Sequence, residues 1–163
     1  VTKPTAISHA SSSRSVDIIR PPSDYRPPFV AVWRLSPLGN IPAADAEVLT
    51  ETLRSQLSGS GWFRIVAREE MDKIMKEAQL QASDACDNTE CAVEYGKILA
   101  AENMLIGTLG RLGQTYSMTL KMVSVESGET LYTVEERLRG EPDDLFVLPE
   151  RCAGKLIRAL SSK

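Results

Sequence analysis

The sequence predicts an α/β domain in which a mixed sheet carries helices on both faces, with the element order β-α-β-α-α-β-β-β-α. Two patterns lead to this prediction. In the first two thirds of the chain, short apolar runs rich in β-forming residues alternate with segments of helical periodicity. In the last third, alternating apolar and polar residues run up to a short turn and a second β-rich segment follows it, which is typical of antiparallel strands.

The first half of the chain predicts a β-α-β unit. Residues 29–35 form an apolar run between prolines, which indicates a strand buried on both faces. After a glycine-asparagine turn, Pro42 is suited to the first turn of a helix. The apolar residues of this helix share one face: Ala46, Leu49, Leu53 and Leu57. Two glycines end the helix, and residues 62–67 are predicted to be the second strand.

Two further helices are predicted before the next strand. Residues 68–80 carry apolar side chains at helical spacing. These are Met71, Ile74, Met75 and Ala78. A polar loop over 83–91 follows, in which Asp87 and Glu90 have capping-box spacing at the start of a third helix. A glycine within a helix costs about 1 kcal/mol relative to alanine, so we expect Gly96 to mark close packing on the sheet.

The last third predicts three strands and a closing helix. The strands are expected over 104–109, 116–122 and 130–138. In the middle strand apolar and polar residues alternate, which predicts one buried face and one face in solvent. The closing helix has one apolar side: Leu145, Leu148, Cys152, Leu156, and Ala159 or Leu160. Pro149 is compatible only with the first turn of that helix.

Residues 1–28 differ from residues 29–163, which we expect to form a single α/β domain. The first segment holds five of the nine prolines, a triple serine and no glycine. Paired prolines favour extended polyproline II and remove backbone donors, so this segment is predicted to be an extended tether. Within this segment, only Val16, Ile18 and Ile19 are expected to pack against the folded domain. The segment does not resemble a signal peptide, so a signal or lipid anchor would lie outside this chain; a linker remnant is the alternative interpretation.

Composition excludes several function classes. A hydrophobic content of 42% suits a globular domain with a sizeable core. The net charge of −3 argues against nucleic-acid binding, which depends on neutralising phosphates. No apolar run approaches the roughly 20 residues of a membrane-spanning helix. The one histidine, His9, falls in the tether, so the folded part lacks a histidine to activate a serine or cysteine nucleophile.

Other patterns associated with catalysis have simpler structural explanations. The glycines at 107, 110 and 113 match neither a dinucleotide-binding nor a phosphate-binding motif, and we expect a strand glycine followed by a hairpin turn. The adjacent carboxylate pairs are explained by solvation or helix capping. These pairs are Glu69 with Glu70, Glu135 with Glu136, and Asp143 with Asp144. We therefore expect no enzyme, and the sequence gives no catalytic, cofactor or metal residues.

The cysteines allow a disulfide. Cys86 and Cys91 are five positions apart in a polar loop. Because Cys86 precedes the predicted helix, the two α-carbons can reach the roughly 4.4–6.8 Å that a disulfide requires. Such a bridge would stabilise the fold by about 2 kcal/mol at most and would require an oxidising compartment. Two free thiols are the alternative, and a metal site is disfavoured because no histidine is near. Cys152 is expected to be a buried small apolar residue.

Four segments of the sequence, taken in order, resemble those of a known protein family. They are Phe29-Val-Ala-Val-Trp33, Gly61-Trp-Phe-Arg-Ile-Val-Ala-Arg68, the stretch from Cys86 to Gly107, and Val123-Ser-Val-Glu-Ser-Gly-Glu-Thr130. This series, over about 29–160, resembles the CsgG-like, TolB N-terminal-like and LpoB-like domains of bacterial envelope lipoproteins. The chain departs from the usual Gly-Ala-Asp at 101–103 and from the usual Asp-x-x-Thr-Gly-Glu turn at Glu126 and Ser127.

The resemblance implies a periplasmic protein associated with the outer membrane. Its members serve in assembly and protein contacts, and the family has no catalytic residues to carry over. We therefore expect a non-enzymatic interaction domain that supports assembly or regulation of a cell-envelope complex. One alternative is a subunit of an oligomeric, curli-like secretion apparatus, in which self-association is the function. Another is a small-ligand or nucleotide-binding domain, since α/β folds often bind ligands at strand ends.

The expected contact surface is the 83–91 loop with the start of the third helix, because a bridge there has no evident packing role. The residues assigned to it are Asp84, Asp87, Asn88 and Glu90. Exposed aromatic residues would also serve as anchors, although each is more often found in a core. These are Trp33, Trp62, Tyr116 and Tyr132. The expected partner is an envelope protein of unspecified identity, with membrane contact only through an N-terminal anchor.

Overall fold

A computed structural model describes residues 19–80 and 86–162. Along the chain lie β1 (Phe29–Val32), β2 (Ser36–Pro37), α1 (Ala43–Gly59), β3 (Arg64–Ile65), α2 (Arg68–Glu77), α3 (Thr89–Ile98), β4 (Asn103–Leu112), β5 (Thr115–Ser124), β6 (Thr130–Arg139) and α4 (Val147–Ser161). A 3₁₀ turn over Pro142–Phe146 leads into α4. The predicted fold class is confirmed, and the two-residue strand β2 adds to the predicted order.

The six strands form one mixed sheet in the order β3-β1-β4-β5-β6. The strands β3, β1 and β4 are parallel, while β4, β5 and β6 form an antiparallel meander. Strand β2 pairs with β4 on the edge that β1 also uses, but farther along: Val30 lies opposite Asn103, and Ser36 lies opposite Thr108. The amino-terminal half of β4 is therefore flanked by β1 and its carboxyl-terminal half by β2.

The direction of the crossovers explains why helices cover both faces. The connection through α1 leads from β1 to β3, and the connection through α2 and α3 returns past β1 to β4. Right-handed crossovers that run in opposite directions place their helices on opposite faces. One core cluster accordingly joins the sheet to α1 and α4, and a second joins it to α2 and α3.

Both early strands are shorter than predicted because side chains take over backbone hydrogen bonds. Trp33 N still donates to Leu105 O at 2.9 Å, but Leu35 N donates to Thr50 Oγ1 of α1 at 3.0 Å. The chain leaves the ladder there and rejoins it as β2. In the second strand, Trp62 N donates to Ser60 Oγ at 3.2 Å, and the strand starts only at Arg64. It ends at Ile65, although Val66 N still donates to Val30 O at 2.9 Å.

Helix α2 also ends before the predicted residue 80. Gln79 adopts the left-handed conformation with φ of 59°, and Leu80 N donates to Met75 O at 2.8 Å, which closes the helix. Met71 and Met75 are buried as expected. Ala78 is exposed, because it lies beyond the last helical residue.

The close approach predicted at Gly96 is present. A β-carbon at this position would lie 2.4 Å from Val125 Cγ2 and 2.9 Å from Met104 Cγ. Helix α3 therefore packs against the sheet and the β5–β6 turn at a distance that only glycine allows. Gly107 is equally confined within β4, where a β-carbon would lie 2.2 Å from Thr119 O.

We expect Gly96→Ala to lower the free energy of unfolding by about 1–3 kcal/mol, because the added methyl overpacks the contact with Val125 and Met104. Urea denaturation measures this change. Gly59→Ala is the matched control: its methyl would meet nothing within 4 Å, so stability should stay unchanged or rise by up to about 1 kcal/mol. Equal losses in the two variants would contradict the packing assigned to Gly96.

Candidate functional site

The loop predicted to contact a partner lies at the amino-terminal end of α3. A disulfide joins Cys86 to Cys91, with the two Cα atoms 5.7 Å apart. Cys86 is fully buried in the core cluster beneath α2 and α3, and Cys91 packs at the edge of that cluster. The bridge therefore ties the start of α3 to the core. Asp84 lies outside the described residues.

The other residues assigned to this contact are exposed to solvent, and one of them also caps α3. Asp87, Asn88 and Glu90 are exposed. The capping residue of α3 is Asn88, not Asp87: Asn88 Oδ1 accepts a hydrogen bond from Cys91 N at 2.9 Å. Helix α3 therefore starts at Thr89, one residue later than the capping-box spacing implies.

The described part of the loop presents polar side chains and no apolar anchor. The centre of a protein interface is depleted of charged residues and enriched in aromatic ones. The aromatic residues considered as anchors do not supply such a centre. Trp33, Trp62 and Tyr116 are all at most 4% exposed, and Tyr132 is partly buried in the first core cluster.

Charged residues from α1 and α2 converge in a groove at the carboxyl end of β1. Arg54 donates to Val32 O at 2.7 Å and pairs with Glu51, while Arg68 contacts Glu47, Glu51 at 3.5 Å and Asp72 at 3.8 Å. Burial lowers the pKa of the Arg54 guanidinium, and the Glu51 carboxylate opposes that shift. These pairs neutralise one another and join the two helices across the end of the strand.

This groove is small for a ligand site. Its cavity volume is about 30 Å³, whereas small-molecule pockets typically measure roughly 300–1,000 Å³. Two buried polar atoms among the described residues have no hydrogen-bond partner, Arg54 Nε in the groove and Ser36 Oγ in β2. The groove thus has the size and internal pairing of a structural ion-pair network.

The adjacent carboxylate pairs do not converge on a common cleft in the described part of the chain. Glu69 and Glu70 occupy the first turn of α2. Asp144 accepts from Glu141 N at 2.8 Å in a capping box of the 3₁₀ turn. Glu136 pairs with Lys155 of α4 at 2.8 Å, while its neighbour Glu135 has its side chain on the other face of β6.

The segment before β1 docks at the amino-terminal end of the parallel strands. Trp62 Nε1 donates to Ile19 O at 2.6 Å, and Tyr25 Oη donates to Trp62 O at 3.0 Å. The Tyr25 and Trp62 rings meet edge to face at 4.8 Å, and Pro21 lies over Gly61. Val16 and Ile18, also expected to dock, fall outside the described residues, as does His9. Residues 19–28 thus lie at the end of the sheet opposite the β4–β5 hairpin.

One half of the sheet carries no helix on the α2/α3 face, as far as the described residues extend. Register places three rows of side chains there, from β2 or β4 across to β6. The rows are Thr108-Thr119-Glu135, Gly110-Ser117-Arg137 and Leu112-Thr115-Arg139, with Lys121 and Thr133 beside them. On the β2 side the first row ends at Ser36, which is buried, and the second at Leu38, whose Cβ lies 3.9 Å from the position of a β-carbon at Gly110. We call this surface, built from β2, Leu38 and the adjoining parts of β4, β5 and β6, the open face.

The open face combines apolar and basic side chains around a floor of small residues. Leu112 is 87% exposed and Leu38 is 51% exposed. Lys121, Arg137 and Arg139 are exposed on the side of β5 and β6. Sequence reasoning identified the solvent-facing side of β5 but not this surface, because β2 and the alignment of Leu38 with Gly110 come from long-range pairing.

The described residues contain no group of three potential metal ligands among histidine, cysteine, aspartate and glutamate. None of the described helices is long and apolar enough to cross a bilayer. Cys152 is free and fully buried in α4. Burial, with a smaller contribution from the Glu136 carboxylate, raises the pKa of its thiol from 9.0 to about 12.

Comparison with known families gives one match by sequence. The family described as peptidoglycan-synthase activator LpoB matches residues 42–137. No curated protein matches the chain by sequence. Of the families in the resemblance noted above, LpoB is therefore the one that sequence comparison supports.

Solved structures share the fold at low sequence identity. The LpoB C-terminal domain from Salmonella enterica is 18% identical, with a TM-score of 0.59 over 72% of this chain and 87% of that chain. Lipoprotein GNA1162 from Neisseria meningitidis is 16% identical, with a TM-score of 0.57 over 83% and 95%. The PelC dodecamer from Paraburkholderia phytofirmans is 14% identical, with a TM-score of 0.55 over 85% and 93%.

Replacement of Cys86 and Cys91 together by alanine is expected to lower the free energy of unfolding by about 2 kcal/mol, the chain-entropy value for so short a loop. Amide exchange should rise first at the start of α3, which the bridge ties to the core. Urea denaturation and hydrogen exchange measure the two effects. Unchanged stability and exchange would show that the bridge does not form in solution.

The buried thiol of Cys152 should resist alkylation in the folded protein at pH 8 and should react in denaturant. Mass spectrometry can count the alkyl groups added in each case. Because the pKa of this thiol is raised on folding, it contributes stability that is complete below about pH 9 and is lost as the pH rises toward about 12. Rapid labelling of the folded protein at pH 8 would contradict this burial.

Proposed function

The chain belongs to the LpoB family of peptidoglycan-synthase activators, and on that premise we propose that it binds a peptidoglycan synthase in the periplasm and raises its activity. The observation that carries the proposal is the family match over residues 42–137. That range runs from the start of α1 through nearly all of β6, so it includes most of the sheet and both helices of the α2/α3 face.

A role through binding fits the chemistry of the described residues. LpoB-family proteins are activators without catalytic activity of their own. In this chain the charged groups of the groove neutralise one another, and the adjacent carboxylates cap a turn, pair with Lys155 or face solvent. The open face, by contrast, leaves exposed apolar and basic side chains that no other described part of the chain covers. These features favour contact with another protein over transformation of a substrate.

An envelope location follows from the same premise. LpoB-family proteins are lipoproteins anchored in the outer membrane and facing the periplasm. We infer the same setting for this chain, with residues 1–28 as the connection to an anchor. The disulfide between Cys86 and Cys91 supports an oxidising compartment. Docking of residues 19–28 at the Trp62 end of the sheet leaves the hairpin end pointing away from that connection.

Self-assembly into a secretion apparatus is the second candidate, and the likeness to PelC favours it because the PelC structure is a dodecamer. At 14% identity this is a likeness of fold. Sedimentation of the purified chain at micromolar concentration distinguishes the two candidates: a monomer supports the activator role, and a stable ring supports self-assembly.

The activator role predicts that the purified chain increases the rate at which a peptidoglycan synthase of the same organism polymerises its lipid-linked precursor. The effect should saturate with chain concentration, since it depends on a complex. The matched control is the chain after heat denaturation and reduction. A synthase rate that does not change with saturating folded chain, for each synthase of the organism, would contradict the proposal.

A further inference from the structure

We propose that the open face is the surface that receives the synthase, and that it takes a segment in which an apolar ridge runs beside acidic side chains. This inference rests on the proposed function and deepens it by naming the surface and the chemistry of the partner. Four properties of the open face carry it: its shape, its apolar wall, its charge and its size.

The shape is a shallow trough. Its floor is made of glycine and of small hydroxyl residues on β4 and β5. These are Thr108, Gly110, Thr115, Ser117 and Thr119. Leu38 stands on one side and Arg137 on the other, and the register places them three strand spacings apart, about 14 Å. A helix with its side chains is roughly 10–12 Å across, so one helix fits between the walls.

The apolar wall is unusual for a solvent-facing strand end. Leu112 is the most exposed of the large apolar side chains in the described residues at 87%, and Leu38 beside it is 51% exposed. Both lie on the same face of the sheet, because a β-carbon at Gly110, two residues before Leu112, would lie 3.9 Å from Leu38 Cβ. Two adjacent exposed leucines at the rim of a trough provide an apolar contact that a partner can bury.

The opposite wall is basic on a chain whose net charge is −3. Lys121, Arg137 and Arg139 are exposed there against one carboxylate, Glu135, which pairs with Arg137 at 2.8 Å. The local excess is therefore positive. Charge complementarity favours a partner with acidic side chains on the flank that meets β6, and it makes the association sensitive to salt.

The predicted contact loop lacks these properties. Its described side chains are polar or acidic, and Asn88 is engaged in capping α3. Exposed apolar residues elsewhere in the described chain include Val48 in α1 and Phe146 before α4, both on elements that cover the opposite face. The open face is where exposed apolar and basic side chains meet on one regular surface.

The open face is small for a protein interface. From the Lys121 row to the Arg139 row the open face extends for about 20 Å along the strands, so its flat area is about 300 Å². A standard interface buries roughly 800 Å² on each partner. The open face alone therefore supports a weak, reversible complex, and we expect a Kd in the micromolar range.

The test measures binding of the full chain to the purified periplasmic region of each peptidoglycan synthase of the organism, by surface plasmon resonance. The combined variant Leu112→Ser with Arg137→Glu should raise the Kd at least tenfold and reduce its salt dependence. Both side chains are largely exposed, at 87% for the residue Leu112 and 74% for the Arg137 side chain, so folding should be unaffected. Circular dichroism and the melting temperature verify this.

The matched control combines Val48→Ser with Arg151→Glu, which likewise replaces an exposed apolar residue by serine and an exposed arginine by glutamate, but on the α1/α4 side. It should bind like the original chain. Equal loss in both variants, or an effect of the control alone, would overturn the inference. Normal binding by the open-face variant would overturn it while leaving the proposed function intact. Absence of binding and activation by the unaltered chain would instead contradict the proposed function.

A second copy of the chain is the competing occupant of the open face. Sedimentation of the unaltered chain and the open-face variant tests this directly. If the open-face variant abolishes a dimer of the chain but leaves synthase binding unchanged, the surface is a self-association interface and the inference is wrong. If the unaltered chain and the open-face variant are both monomers, and only the variant loses synthase binding, the inference is supported.

Discussion

Strand β4 pairs along both of its edges, with β1 and then β2 on one side and with β5 along its whole length on the other. Its amino-terminal half therefore lies between two layers of helices, where Met104 and Leu105 are buried on opposite faces. Within residues 19–80 and 86–162, helices cover its carboxyl-terminal half on one face only, where side chains pack toward α1 and α4. The division of the sheet into a closed half and an open half follows from where the neighbours of this strand end.

The closed half and the open half of the sheet differ in what fixes their side chains. In the closed half, Gly96 brings α3 close to the sheet, and the Cys86–Cys91 bridge ties the start of that helix to the core. The ion pairs of Arg68 with Glu47 and Glu51 join α2 to α1. These contacts make a rigid support. In the open half, register rather than core packing sets the position of each side chain, so a binding surface can vary there at little cost in stability.

Periodicity in the sequence was enough to predict the order of elements, the buried faces of the helices and the alternation along β5, because these depend on neighbours within a few residues. It failed where a distant group takes a hydrogen bond. Thr50 interrupts the first strand by accepting from Leu35 N, 15 positions away. Periodicity also did not distinguish two neighbouring capping residues, since Asn88 rather than Asp87 caps α3. The contact residues proposed from the loop stay a prediction. The open face depends on the pairing of β2 with β4, which no local pattern encodes.

The central claim is that this domain acts by contact through the uncovered half of its sheet. Chemical-shift mapping of the isotope-labelled chain, titrated with the unlabelled periplasmic region of the synthase, tests it most directly. The largest amide shifts should fall at residues 36–39, 108–119 and 133–139. Shifts concentrated at residues 86–99, or on the outer sides of α1 and α4, would contradict it.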